Sequence, residues 1–273
     1  MSAVPFIKGH GTGNDFVVIA DFDDVLNLTP AAVVAICNRH TGIGANGILR
    51  VVREGGRYFM DYRNADGSLA ETCGNGLRVF SRFLVENKLE KPGDFQVLTR
   101  AGVISVHVDP SDTEFSNIAI EMGKPTTVSE PAHVATEAGN WDATARFIPN
   151  PHCVSVVDSI TDAGTLATVP SVTPASIFPD GANFEFIEQR GDHHIGMRTH
   201  ERGVGETQSC GSGACCAADV WAQQNALVAP WTVQVDVLGG TVWVDSDADG
   251  VLTLRGPAAF VASGTISQEL VSL

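Results

Sequence analysis

One short pattern occurs twice, about half a chain apart: Glu71-Thr72-Cys73-Gly74-Asn75-Gly76 and Gln208-Ser209-Cys210-Gly211-Ser212-Gly213, each followed by helical spacing. A cysteine ahead of Gly-x-Gly and a helix lies where backbone N–H groups and the positive end of the helix dipole act on its sulfur. The expectation at both positions is a thiol drawn down from roughly 8.5 toward neutrality. The repetition constrains the fold as well. A chain of 273 residues, 44% of them apolar, can bury one large core or two smaller ones, and the duplicated motif favours two.

Two such thiols form a matched acid and base. If two similar halves present them to one carbon atom, one removes a proton from one face and the other returns a proton to the opposite face. That is the chemistry of a racemase or epimerase. A net charge of −15 with 17 basic residues argues against nucleic acid or anionic lipid as partner, since both need a cationic surface. No stretch approaches the roughly 20 apolar residues of a membrane span, and the N-terminus lacks a basic, apolar leader, so the expected location is cytoplasmic. There the six cysteines are expected to be reduced, with Cys37, Cys153, Cys215 and Cys216 as packing residues. Without a Cys-x-x-Cys pair or a His-x-x-x-His pair beside an acid, no metal is expected.

Local signals divide the chain further. Thr29-Pro30 reads as a cap and first helical residue for Ala31 to Arg39. A second helix is expected from about Gly76 to Asn87, with Leu77, Phe80, Leu84 and Val85 on one face, and a third from near Gly213 through Ala226. Strands are expected at Phe95–Thr99 and Val103–Val108 about a turn at Ala101-Gly102, and at Val233–Val237, Thr241–Val244 and Val251–Leu254. Lys124 to Pro151 loses clear alternation, and the domain boundary is placed near its start.

Gly9-His10-Gly11-Thr12-Gly13-Asn14 has dinucleotide-loop spacing, but an apolar strand, Phe16 to Ala20, follows it instead of a helix. A glycine turn presenting Asn14 fits better, either as a plain turn residue or as a ligand-binding amide. Asn64 precedes Ala65-Asp66-Gly67-Ser68, and Asn150-Pro151-His152-Cys153 opens a strand. Asparagine amides offer a donor and an acceptor, which suits a zwitterion, although loop asparagines also simply form turns. Glu201-Arg202 abuts the second cysteine motif: the guanidinium can grip a carboxylate, and the carboxylate can take an ammonium group or tune a thiol. A surface ion pair is the plainer reading of that pair.

Taken in order, His10 to Phe16, Asn64 to Ser68, Cys73 to Gly76, Asn150 to Cys153, Glu201 to Gly203 and Cys210 to Cys215 resemble the diaminopimelate epimerases along essentially the whole chain. The resemblance implies an α+β fold of two similar strand-rich halves, each a barrel-like sheet around a central helix, with the active site in the cleft between them. It places the halves at 1–123 and 124–261, with about 262–273 crossing back to the first. It implies Cys73 and Cys210 as catalytic thiols, with His152 and Glu201 poising them. Gly74, Asn75, Gly211 and Ser212 would offer the helix N-termini to the α-carboxylate, and Asn14, Asn64, Asn150, Asn183, Glu201 and Arg202 would hold the rest of the substrate. The implied reaction interconverts LL- and meso-diaminopimelate, in lysine and peptidoglycan precursor biosynthesis, without a cofactor, in a protein expected to form a homodimer. Asn46-Gly47 departs from the family's more usual Asp-Gly or Asp-Gln.

A pyridoxal reaction would need a Schiff-base lysine, and of Lys8, Lys88, Lys91 and Lys124 only Lys8 is near a motif residue. A proline or hydroxyproline racemase would share two cysteines, but has less need of Arg202, Asn64, Asn150 and Asn183. A cysteine hydrolase using His152, or a binding protein without chemistry, leaves the paired thiols unexplained.

Overall fold

The computed structural model describes residues 3–271 and 273. The chain forms two compact strand-rich units, one running to Ile120 and completed from Gly256 onward, the other spanning Glu121–Arg255. The expected boundary at 123/124 and return at about 262 compare with 120/121 and 255/256. Among the described residues no helix is long and apolar enough to cross a membrane.

The first unit opens with the hairpin of β1 (Val4–Gly11) and β2 (Asn14–Ala20). Gly11 pairs with Asn14, so the turn is Thr12-Gly13, and both residues have positive φ, +47° and +80°. That is the backbone a two-residue turn needs to match strand twist, and it leaves Asn14 as the first residue of its strand. After the helix α1 (Pro30–Cys37), capped by Thr29 Oγ1 accepting from Ala32 N at 3.1 Å, β3 (Gly47–Glu54) pairs parallel to β2 and antiparallel to β4 (Arg57–Asn64). The helix α2 (Gly74–Glu86) packs against β1 to β4, burying Leu77, Val79, Phe80, Phe83 and Leu84. Val85, expected on the same face, is only half-buried. The strands β5 (Gly93–Thr99) and β6 (Gly102–Val108) pair with Thr99 opposite Gly102, so the turn is Arg100-Ala101, one residue before the expected position. The strand β7 (Ile118–Gly123) carries the chain out of the unit.

The second unit contains three strands within the stretch expected to be irregular: β8 (Thr126–Thr127), β9 (Ala132–Ala135) and β10 (Asn140–Phe147). Ala132, Val134 and Ala145 face inward from them, small side chains that make little periodic signal. Then come β11 (Pro151–Val156), β12 (Ser171–Thr173), β13 (Asn183–Gly191), β14 (His194–Glu201) and β15 (Gly205–Thr207). The strand β11 pairs antiparallel to β10 and parallel to β13, whose antiparallel partner is β14.

The helix α3 (Gly211–Gln224) packs against β10, β11, β13 and β14, and against the hairpin of β16 (Trp231–Val237) and β17 (Gly240–Ser246). Its residues are buried nearly all round, from Ala214 through Ala218 and on to Val220, Trp221 and Ala222. A helix enclosed by strands needs apolar surface on every side, and the run Ala214-Cys215-Cys216-Ala217-Ala218 keeps it thin enough to be enclosed. Arg146 of β10, 1% exposed, ties the helix down through Asp219 at 2.7 Å and through Gln223. The strand β18 (Leu252–Gly256) pairs with β17. Finally β19 (Ala259–Ile266) pairs with β1, Val4 opposite Ile266, and the short α4 (Gln268–Val271) brings Val271 into the core beside Val4, Ile36 and Ile48.

Candidate active site

Each repeated cysteine is the N-cap of its helix. Cys73 has φ −154° and ψ 117°, and its sulfur accepts from Gly76 N at 3.4 Å. Cys210 has φ −117° and ψ 114°, and its sulfur accepts from Gly213 N at 3.4 Å. Both helices begin two residues earlier than expected, because the cap residue is the thiol itself and the Gly-x-Gly forms the first turn. A cap side chain satisfies a helix N–H that otherwise lacks an intrahelical partner, and an anion there gains from the dipole. The consequence is a sulfur held at the positive end of a helix in each unit.

In the first unit, Cys73 is half-buried, and its sulfur lies 3.5 Å from Asn14 Oδ1, which also accepts from Asn75 Nδ2 at 3.3 Å. Asn14 is held from behind. Asp15, next in the strand, is bonded by Lys8 at 2.5 Å, by Arg39 through two nitrogens, and its N–H donates to Asn46 Oδ1 at 3.1 Å. Burial raises the Asp15 carboxyl, but Arg39 and Lys8 outweigh it and hold the group below its usual range. The Lys8 amine is committed to Asp15 and to the Gly44 carbonyl. Asn46, the departure noted above, therefore serves the strand end that carries Asn14. Asn64 ends β4 and donates to Ser68 Oγ at 3.0 Å within its own turn. Gly74 and Asn75 form the buried first turn of α2.

In the second unit, Cys210 is 6% exposed and sits among acids. Ser212 Oγ lies 3.5 Å from its sulfur. Glu201, at the end of β14, accepts from Thr207 Oγ1 at 2.6 Å and is hydrogen-bonded to Cys210. Burial pushes the Glu201 carboxyl up, so it favours its protonated form. The expectation of a lowered thiol fails at Cys210. Burial, then Glu201 and Glu185, raise it, and the hydrogen bonds from Ser212 and Gly213 only partly offset them. Desolvation of the thiolate wins over the helix terminus because the cap is enclosed on all sides.

His152, fully buried, stands beside Asn183 across the parallel β11–β13 pair. Asn183 Oδ1 accepts from Arg202 N at 2.8 Å, and Arg202 donates to the Asp180 carbonyl at 3.2 Å with its side chain exposed. Asn150 is half-buried just before β11, and Gly211 is buried in the first turn of α3. Asn14, Gly74 and Asn75 thus stand with Cys73 at the start of α2, and Glu201, His152, Gly211 and Ser212 with Cys210 at the start of α3, whereas Asn64 bonds within its own turn and Arg202 bonds the Asp180 carbonyl.

Glu185 was not singled out by the motifs. It shares the Asn183 face of β13, is fully buried at 0% exposure, and its Oε1 lies 2.8 Å from His152 Nδ1. A carboxylate flanked by Phe184 and Phe186 in the run Phe184 to Ile187 is the available signal. One ring nitrogen of His152, one oxygen of Glu185 and the Cys210 sulfur fall within 4.8 Å of one another. Cys37 and Cys153 are pushed up to about 11 and about 12, mainly by burial, and Cys215 and Cys216 are fully buried, in keeping with packing roles.

The family model described as diaminopimelate epimerase matches residues 6–128 and 146–261. The diaminopimelate epimerase of Streptomyces coelicolor is 42% identical over 277 residues, covering 96% of this chain and 94% of its own. That of Mycolicibacterium smegmatis is 41% identical over 284 residues, covering 96% of each. Among solved structures, a hydroxyproline epimerase from Agrobacterium vitis superposes with a TM-score of 0.72 at 13% identity, covering 97% of this chain and 92% of that one. A phenazine biosynthesis protein of Bacillus anthracis gives 0.71 at 15% identity, covering 98% and 100%. The distant structures share the two-unit, strand-rich α+β fold with central helices, and the close sequences carry the assignment further: the chain belongs to the diaminopimelate epimerase family.

Proposed function

We propose that the protein interconverts LL- and meso-diaminopimelate by proton transfer between the α-carbon and two cysteines, without a cofactor. The observation that carries this reading is the pair of thiols, each capping its helix through a 3.4 Å N–H contact, in a chain of this family. One thiolate takes the α-proton, so that the C–H bond breaks and an S–H bond forms. The other thiol gives its proton to the opposite face of the same carbon, and its electron pair stays on sulfur. For both to reach one carbon, the two units must present them to a shared cleft, each strand layer closing barrel-like around its helix as the resemblance implies.

The α-hydrogen of an amino acid is far less acidic than any side chain, so the developing carbanion needs stabilisation. Helix N-termini at Gly74-Asn75 and Gly211-Ser212 supply backbone donors for the carboxylate that gains charge. Each well-placed donor contributes about 3 to 4 kcal/mol in a dry site. Asn14 and Asn64 in one unit, with Asn150, Asn183, Glu201 and Arg202 in the other, are the proposed ligands of the remaining polar groups. His152 and Glu201 tune Cys210 from either side.

The test is incubation of reduced protein with meso-diaminopimelate in D₂O without added cofactor, following α-deuterium by NMR. Deuterium incorporation together with the LL isomer supports the reading. No exchange in diaminopimelate, with exchange in proline instead, overturns it in favour of a proline racemase.

A further inference from the structure

Glu185 has no part in the mechanism so far, yet its surroundings are built with care. It and His152 are both 0% exposed, and they bond to each other at 2.8 Å. The remaining atoms of the pair, His152 Nε2 and Glu185 Oε2, are buried and have no hydrogen-bond partner among the described residues. A Cβ on Gly213 would stand 2.6 Å from Glu185 Oε1, so the carboxylate lies against the same turn of α3 whose N–H binds the Cys210 sulfur. A buried acid with one oxygen on an imidazole and the other unpartnered is expensive unless the pair handles charge.

We propose that Glu185 is a positioning residue of the second proton-transfer site: it fixes His152 with Nδ1–H toward the carboxylate and leaves Nε2 as the base that takes the Cys210 proton. The inference rests on the reading of Cys210 as one of the two proton-transfer thiols. An ionised carboxylate only accepts, so the nitrogen facing it donates, and a neutral imidazole then carries its lone pair on the other nitrogen. In the step, the Cys210 S–H bond breaks, an N–H bond forms at His152 Nε2, and the electron pair stays on sulfur. The product is a thiolate and an imidazolium, the latter flanked by the Glu185 carboxylate. No net charge is created in the buried site, and the return step reverses the transfer. One ring nitrogen of His152, one Glu185 oxygen and the Cys210 sulfur already lie within 4.8 Å of one another, and transfer to Nε2 passes through a side-chain adjustment or one bridging water.

The neighbouring charges are arranged to permit this. From β14, Glu201 is bonded to Thr207 and Cys210, and burial favours its neutral form, in which it does not compete as an anion for the proton. From β10, Arg146 stands opposite His152 in register but is engaged by Asp219 and Gln223 of α3. From α3 itself, Ser212 lies beside the sulfur. In the first unit, by contrast, Cys73 meets the amide of Asn14, itself bonded by the Asn75 amide, so the two thiols are served by different chemistry.

The experiment titrates the thiolate absorbance of Cys210 in full-length Cys73→Ser protein, subtracting a Cys73→Ser/Cys210→Ser control, with and without Glu185→Gln. The expected result is an upward move of the Cys210 midpoint by about one pH unit, a tenfold change, with a kcat about 100-fold lower at nearly constant KM in the otherwise native enzyme. Partial recovery of both in Glu185→Asp is expected as well. An unchanged or lower midpoint overturns the proposal, since a carboxylate that merely repels the thiolate gives that result when neutralised. Should Glu185→Gln fail to fold, ¹⁵N-histidine NMR of the native protein decides, with His152 assigned by its loss in His152→Gln. Protonated Nδ1 with bare Nε2, or the imidazolium, is expected, and an Nε2–H tautomer overturns the proposal. Neither the absorbance nor the NMR readout needs substrate, so their failure is distinguishable from failure of the epimerase reading.

Discussion

Equivalent backbone positions do not make Cys73 and Cys210 equivalent acids. Both accept an N–H at 3.4 Å, but one is half-buried beside an amide and the other is enclosed with two carboxyl groups and an imidazole. The proposed two-base mechanism needs one thiol and one thiolate at the outset, and burial beside two carboxyl groups favours Cys210 as the thiol. Replacing either cysteine by alanine is expected to lower turnover by about 10⁴-fold or more, because both proton transfers lie on the path. With serine at one position, slow deuterium exchange from a single face should survive, detected by NMR, whereas full epimerisation by the double serine variant would contradict the assignment. Glu201 gives a pH prediction of definite sign. Its folded-state affinity for a proton is raised by burial, so its contribution to stability is complete below the ordinary carboxyl range and is lost as pH rises through the raised value. Glu201→Gln should therefore melt higher than the parent at pH 8, with the gap closing toward pH 4, as read by calorimetry.

The two helix starts also differ as elements. Gly76 has Leu49 Cδ2 at 3.3 Å and Cys73 Cβ at 3.5 Å from the place of a Cβ, while Gly213 has Glu185 Oε1 at 2.6 Å. Adding a methyl group therefore has unequal consequences in two turns of the same design. Gly76→Ala should change stability by less than about 1 kcal/mol, the helix preference of alanine offsetting slight crowding. Gly213→Ala should cost about 1 to 3 kcal/mol and depress activity, because the buried carboxylate has to shift away from His152. Paired thermal melts and rate measurements on the two variants check this, and equal effects would count against it. The enclosing strands explain why the middle of α3 is built from alanine and cysteine: bulkier residues would hold β10, β11, β13 and β14 away from the helix.

At the scale of the whole molecule, the chain leaves its first unit and returns to finish it. The strand β19 pairs with β1 from Val4 opposite Ile266 to His10 opposite Ala259, and Ile266 and Val271 fill the core beside Ile36 and Ile48. Arg78 and Arg82 of α2 further bond the carbonyls of Pro257 and Ala258. The first unit is therefore incomplete until the last 18 or so residues have been made, a contact pattern of long sequence separation. Truncation after Arg255 is expected to remove cooperative unfolding of the first unit while the second retains a transition, observable by calorimetry and by proteolysis of residues before Ile120. Two cooperative transitions in the truncated chain would contradict it.

Local order along the chain determined a good deal. The duplicated Cys-Gly-x-Gly marks two helix starts, Thr29-Pro30 marks a third, and turn residues mark the hairpins, because caps and turns depend on neighbouring residues. Cys73 and Cys210 with their Gly-x-Gly turns, and Asn14 at its glycine turn, are legible as local motifs for the same reason, while Asn183 is read only from the family likeness, which supplies the proposed roles. Other features are non-local. The strands β9 and β10 exist because they pair with each other, β9 also with β12 and β10 with β11, and their small inward residues carry too little alternation to announce it. Glu185 meets His152, 33 residues away, only once β11 and β13 lie parallel in register. Cys210 rises where Gly-x-Gly alone pointed down, because desolvation is set by everything that packs around a group, and that enclosure exists only in the folded unit.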